Sequence, residues 1–181
     1  MFHSKLLSLG PSVAILALAA SLAGCTPKVG VGSPKPNVAL SGDKAPAELE
    51  LDAAVPDAFT TPKTSVTAVE VTGWRTTLTN GFQAAFGGAT SSYKLHIVMA
   101  ELSFAPAAVS SGGGVHAVRA QVRYKVRIVG SDGAELGVAT GTVEAREANA
   151  VASEEAMTAN ASQAVEAMYE TISAQLSGEG S

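Results

Sequence analysis

Val118-Arg119-Ala120-Gln121-Val122-Arg123-Tyr124-Lys125-Val126-Arg127-Ile128 alternates strictly between apolar and polar side chains. A period of two sends successive side chains to opposite faces of a strand. Residues 115–129 therefore predict a strand with a core face and a wet face, the wet one carrying a basic ladder of Arg119, Arg123, Lys125 and Arg127. A sheet wet on one side needs a covering layer only on the other. Ser131-Asp132-Gly133 predicts a turn into a hairpin partner over residues 136–146, which makes Glu135, Glu144 and Glu147 available to the ladder.

Upstream, residues 93–104 read as a strand apolar on both faces, with Tyr93, Leu95, Ile97 and Met99 on one and Val98, Ala100 and Leu102 on the other. That pattern predicts a central position. His96 interrupts the second face. Ser110-Ser111-Gly112-Gly113-Gly114 predicts a long hairpin loop; no Gly-Lys-Ser/Thr follows it, so it is not a phosphate loop.

Two helices supply the covering layer. Trp74, Leu78, Phe82 and Ala85/Phe86 recur at four-residue spacing, with Thr72 as the candidate N-cap and Gly87-Gly88 as the stop. Trp74 is thereby expected in the core. Gly81 weakens this helix by about 1 kcal/mol, which close packing against a strand would explain. Residues 153–176 predict the second helix, with Ser153 as N-cap and an apolar stripe of Met157, Ala161, Ala164/Val165, Met168, Ile172 and Leu176. Thr158, Ser162, Glu166 and Glu170 fall on its opposite, polar side. Residues 65–71 form a β-branched run suited to a short strand. Residues 47–51 alternate, and read equally as an edge strand or as none. The order strand, helix, strand, strand, strand, helix gives an α+β two-layer sandwich, a sheet of about four strands with two helices on one face.

The amino terminus gives an address. Leu22-Ala23-Gly24-Cys25 fits a bacterial lipobox, an aliphatic residue, two small ones and the cysteine whose thiol accepts a diacylglycerol; Cys25 is the only cysteine. Lys5 supplies a positive n-region, and the apolar run to Leu22 is short for a membrane span, which needs roughly 20 apolar residues. Residues 1–24 are thus expected to be a removed signal peptide, and Cys25 to carry a diacylglycerol and an N-acyl chain that hold the protein on the bilayer. No other cofactor is expected. Thr26 stands where an aspartate marks inner-membrane retention in enterobacterial lipoproteins, which points to the outer membrane, facing the periplasm. With Lys5 removed, the formal net charge moves from −4 to −5. Such a mildly acidic body has no bulk attraction for nucleic acid.

From Thr26 to Pro62 the composition shifts to Pro, Gly, Ser and Ala, with prolines at 27, 34, 36, 46, 56 and 62. Each removes a donor and fixes φ, so residues 25–62 are expected to be a lipidated tether holding the domain, residues 63–178, clear of the headgroups.

The lipobox, the tether, the Gly73-Trp74-Arg75-Thr76-Thr77-Leu78 helix start, the Tyr93-Lys94-Leu95-His96-Ile97 strand, the alternating strand and the Ala-rich final helix together resemble small bacterial envelope lipoproteins of the YajG type. The layout is also similar to the lipopolysaccharide-assembly lipoprotein and to auxiliary lipoproteins of lipid-trafficking ABC transporters. The resemblance implies a non-catalytic accessory or assembly role beside an envelope protein partner, and only Cys25 carries over as a functional residue.

No hydrolase motif is present, neither Gly-x-Ser-x-Gly nor His-Glu-x-x-His, and His96 and His116 have no histidine near them in sequence. Neither an enzyme nor a metal site is expected. The ladder has two readings. It pairs with Glu144 and its neighbours, each exposed pair contributing at most about 1 kcal/mol; or it binds an anionic lipid, lipopolysaccharide or an acidic partner.

Overall fold

The computed structural model describes residues 26–61, 68–107, 117–146 and 153–178. Its elements in chain order are β1 (Lys28–Val29), β2 (Glu48–Leu51), β3 (Phe59–Thr60), β4 (Glu70–Val71), α1 (Trp74–Phe86), β5 (Lys94–Ala107), β6 (Ala117–Val129), β7 (Glu135–Arg146) and α2 (Glu154–Ser177). The larger sheet runs β2-β5-β6-β7, with β2 parallel to β5 and the other pairs antiparallel; a small sheet runs β1-β4-β3. Both helices contribute to one core against the inner face of the larger sheet, which is the predicted α+β sandwich.

The alternating stretch is β6 as predicted, with Val118, Ala120, Val122, Tyr124 and Val126 buried. Tyr124 is accommodated by the strand beside it: a Cβ at Gly141 of β7 would stand 2.7 Å from the tyrosine hydroxyl. β5 is central as expected, though for another reason. Its register with β6 passes from Ile97↔Val126 to Met99↔Lys125, so Val98 is an inserted residue. Leu95 and Ile97 are buried before this bulge, and Ala100, Leu102 and Phe104 after it. One extra residue exchanges the faces, so a strand with one core face looks apolar on both.

Helix α1 buries Trp74, Leu78, Phe82 and Phe86, as their spacing predicts. The indole of Trp74 is 1% exposed and its Nε1–H donates to the Ala100 carbonyl at 2.9 Å. Gly73 is the N-cap instead of Thr72; its φ of 68° suits a residue without Cβ, and no side chain caps the helix from this position. Asp57 does so from a distance, its carbonyl accepting from the Trp74 N–H at 2.9 Å and its carboxylate from the Arg75 N–H at 3.2 Å. Gly81 packs against α2 and not against a strand: a Cβ there would meet Tyr169 at 2.8 Å and Val165 at 2.9 Å. Across the same contact the Tyr169 hydroxyl donates to the Leu78 carbonyl at 2.8 Å, and burial pushes the titration of its phenol far up. Ser153 caps α2, accepting from the Ala156 N–H at 3.1 Å, and the predicted stripe is buried from Met157 to Ile172.

Of residues 47–51, those from Glu48 on do form a strand, β2, paired with the first residues of β5. Of residues 65–71, those from 68 on are described, and only Glu70 and Val71 are strand, in the small sheet.

The proline-rich segment departs most from expectation. Its described part packs on the domain, with Val29, Leu40, Ala45 and Val55 in the core. From Val31 to Asn37 its residues alternate between exposed and buried, with Pro34 and Pro36 among the buried ones. Prolines exclude regular elements but not packing, and the donors that remain still need acceptors. Carboxylates of α2 provide them: Glu154, Glu166 and Glu170 accept from the N–H groups of Lys28, Lys35 and Asn37 at 2.9, 2.8 and 2.8 Å. The polar side of α2 is therefore a rail for this strap, and Gly32 passes so close that a Cβ would lie 2.2 Å from the Ser162 hydroxyl.

Candidate functional site

The outer face of the larger sheet carries the basic ladder. Register places Arg119, Arg123, Lys125 and Arg127 between β5 and β7, and three of the four reach a carboxylate. Arg119 Nη1 is 3.0 Å from Glu144, Arg123 Nη2 is 2.6 Å from Glu101, and Arg127 Nε is 2.5 Å from Glu135. Glu144 also accepts from the Gln121 amide at 2.9 Å. Lys125 stands opposite Met99 and Thr140, with no carboxylate within salt-bridge distance among the described residues. Glu135 and Glu144 are partners the hairpin predicts; Glu147 lies outside the described residues. Glu101 is a partner that sequence reasoning missed, because uninterrupted alternation puts it on the face of Leu95 and Ile97 and the bulge turns it outward.

Toward β2 the same face becomes acidic. Glu50 lies 2.5 Å from Lys94 Nζ, and this hydrogen bond holds its carboxyl below the usual range. His96 is 15% exposed, its Nε2 at 3.5 Å from Asp52 and 3.8 Å from Glu50. No group of three or more metal-ligating side chains is placed to hold an ion among the described residues.

A groove of about 630 Å³ opens beside the bulge. Val98, Met99 and Arg123 are among the residues that line it from the sheet, and Val55, Pro56 and Phe59 form the wall contributed by the segment after β2. The wall is held by a residue read from sequence only as part of a helix start. Arg75 Nη1 donates to the carbonyls of Asp52 and Val55 at 2.8 Å each, and Nη2 to that of Leu51 at 3.0 Å. A guanidinium spread over three carbonyls fixes a turn that has no ladder of its own.

Cys25 lies outside the described residues. The fold begins directly after it, since the Pro27 carbonyl accepts from the Glu70 N–H at 2.9 Å and Val29 is 1% exposed. Thr26 alone separates Cys25 from that first anchored residue. No helix among the described residues is long and apolar enough to cross a membrane.

No protein-family model and no curated protein matches this sequence. Among solved structures, a 2.35 Å crystal structure of a minor lipoprotein from Acinetobacter baumannii is similar at a TM-score of 0.43 and 13% identity, over 84% of this chain and 92% of that one.

Proposed function

We propose that this chain is a bacterial lipoprotein, held on the outer membrane by acyl chains on Cys25 and facing the periplasm, and that it serves an envelope complex as a non-catalytic accessory or assembly factor. The observation that carries the anchoring is Leu22-Ala23-Gly24-Cys25 behind a basic and then apolar leader. The docked strap adds to this reading. A chain that is anchored from Pro27 onward leaves one intervening residue, Thr26, and two Cα spacings, about 7 Å of backbone, between the lipidated residue and the fold. The domain then rides on the headgroups, where a partner in the same membrane meets it.

Cys25→Ser is expected to abolish attachment, because burial of the acyl chains, about 0.8 kcal/mol per CH₂, acts through that one atom. Fractionation after a high-salt wash, with intact mass of the Cys25 peptide, checks this. A Ser variant that is cleaved at the signal yet still pellets with membranes would overturn the anchoring. Co-purification of the wild type from crosslinked membranes, with mass spectrometry of what accompanies it, tests the accessory role.

A second reading, anionic-lipid or lipopolysaccharide binding by the outer face, is favoured by Lys125, which has no carboxylate partner among the described residues and stands opposite Met99 beside the groove. The paired arginines argue the other way. Changing Arg123 and Arg127 together to Gln is expected to cost about 1 kcal/mol, the scale of exposed pairs, and to leave association with anionic vesicles unchanged. Melting curves beside vesicle binding at low and high salt measure both; a steep, salt-sensitive loss of binding would establish the second reading instead.

A further inference from the structure

We infer that β7 is a self-pairing edge, and that two copies of this chain join their larger sheets antiparallel along it, about a two-fold axis passing at Thr140. The inference rests on the sheet alone and not on the lipobox.

The two edges of the sheet are built differently. At one, β2 is only 4 residues long and exposes Glu48 and Glu50, and such brevity and charge discourage pairing. Where β2 ends, the free side of β5 is occupied: Asp52 N–H donates to the Ile97 carbonyl and Trp74 Nε1–H to that of Ala100. At the other edge, β7 runs for 12 residues, and Leu136–Val143 holds neither charge nor proline. No strand pairs with its outer side among the described residues. Alternate N–H and C=O groups of such an edge are left for water or for another strand. Of the three large apolar residues exposed in the described structure, two stand on it, Leu136 at 63% and Val138 at 46%.

A second copy fits this edge by symmetry and by charge. An antiparallel strand is complementary to itself under a two-fold axis, and opposed residues share a face of the sheet. Centring on Thr140 uses nearly the whole strand. It sets Val138 opposite Thr142 and Leu136 opposite Glu144, with Thr140 opposite its own copy. Thr–Thr is a favourable cross-strand pair, and no charge meets a like charge. The two basic ladders would lie three strand spacings apart, about 14 Å, beyond the screening length of about 8 Å at physiological salt. Most of that charge is already paired.

The test uses the full chain in detergent. Thr140→Cys is expected to give a covalent dimer on mild oxidation, while Lys125→Cys, one strand in, remains a single chain. The wild type, whose one cysteine is Cys25, sets the background. Thr140→Lys, or Thr142→Lys should that variant fold poorly, is expected to abolish the dimer seen by sedimentation while still melting in one cooperative transition, whose midpoint no longer rises with protein concentration. Crosslinking at Thr140→Cys no greater than at Lys125→Cys, or a single-chain mass for the wild type at every concentration, overturns the inference.

Discussion

Trp74→Ala is expected to destabilise the domain by about 3 to 5 kcal/mol, the range for removing a large aromatic from a core. Three observations set the effect near the upper end. The side chain is 1% exposed, so its removal leaves a void that the surrounding packing closes only in part. Its Nε1–H satisfies the Ala100 carbonyl on the open side of β5, and truncation strands that acceptor in a buried place. Its ring also meets Phe59 edge to face at 6.4 Å, so the loop forming the groove wall loses a contact. Thermal melts of wild type and variant read the difference, expected as a fall in melting temperature of roughly 10 °C or more. An unchanged midpoint would place the indole on the surface and refute its assignment to the core.

How much of this could be read from the sequence depended on whether the physics is periodic. The alternation in β6 reports burial directly, and the four-residue spacing in α1 and α2 names their buried faces; these elements and the sandwich they make stand as expected. The bulge at Val98 has no such signature. A single inserted residue leaves composition untouched and only makes a one-sided strand look two-sided, which hid Glu101 from its place beside Arg123. Of the candidate site, the cations of the ladder and the partners Glu135 and Glu144 were legible because a hairpin pairs near neighbours in sequence. The groove was not, since its wall depends on Arg75 reaching back to carbonyls 20 to 24 residues away. Gly81 was legible as a close approach but not as one between helices, because a missing Cβ does not say what comes near.

The strap was the largest misreading, and it sets up the second expected result. Proline and glycine content measures whether a segment can form a helix or ladder, and says little about whether it can lie on something else. Val29 and Val31 separate the two cases, being alike in chemistry and two residues apart, one at 1% exposure and the other at 52%. Val29→Asp puts a carboxylate into the core, where Val29 is packed among buried apolar side chains, and is expected to cost about 3 to 5 kcal/mol, the scale of an uncompensated buried charge. Val31→Asp is expected to move stability by no more than about 0.5 kcal/mol, as an ordinary surface change does. Urea melts of the two variants beside wild type give the comparison. Were this segment a free tether, both substitutions would be silent, and an unchanged midpoint for Val29→Asp would return it to that role. Both variants keep Cys25, so membrane fractionation should not distinguish them. The packing of the strap and the attachment it leads to can therefore fail independently, and only if both hold is the domain clamped against the bilayer by the first strand after the lipid.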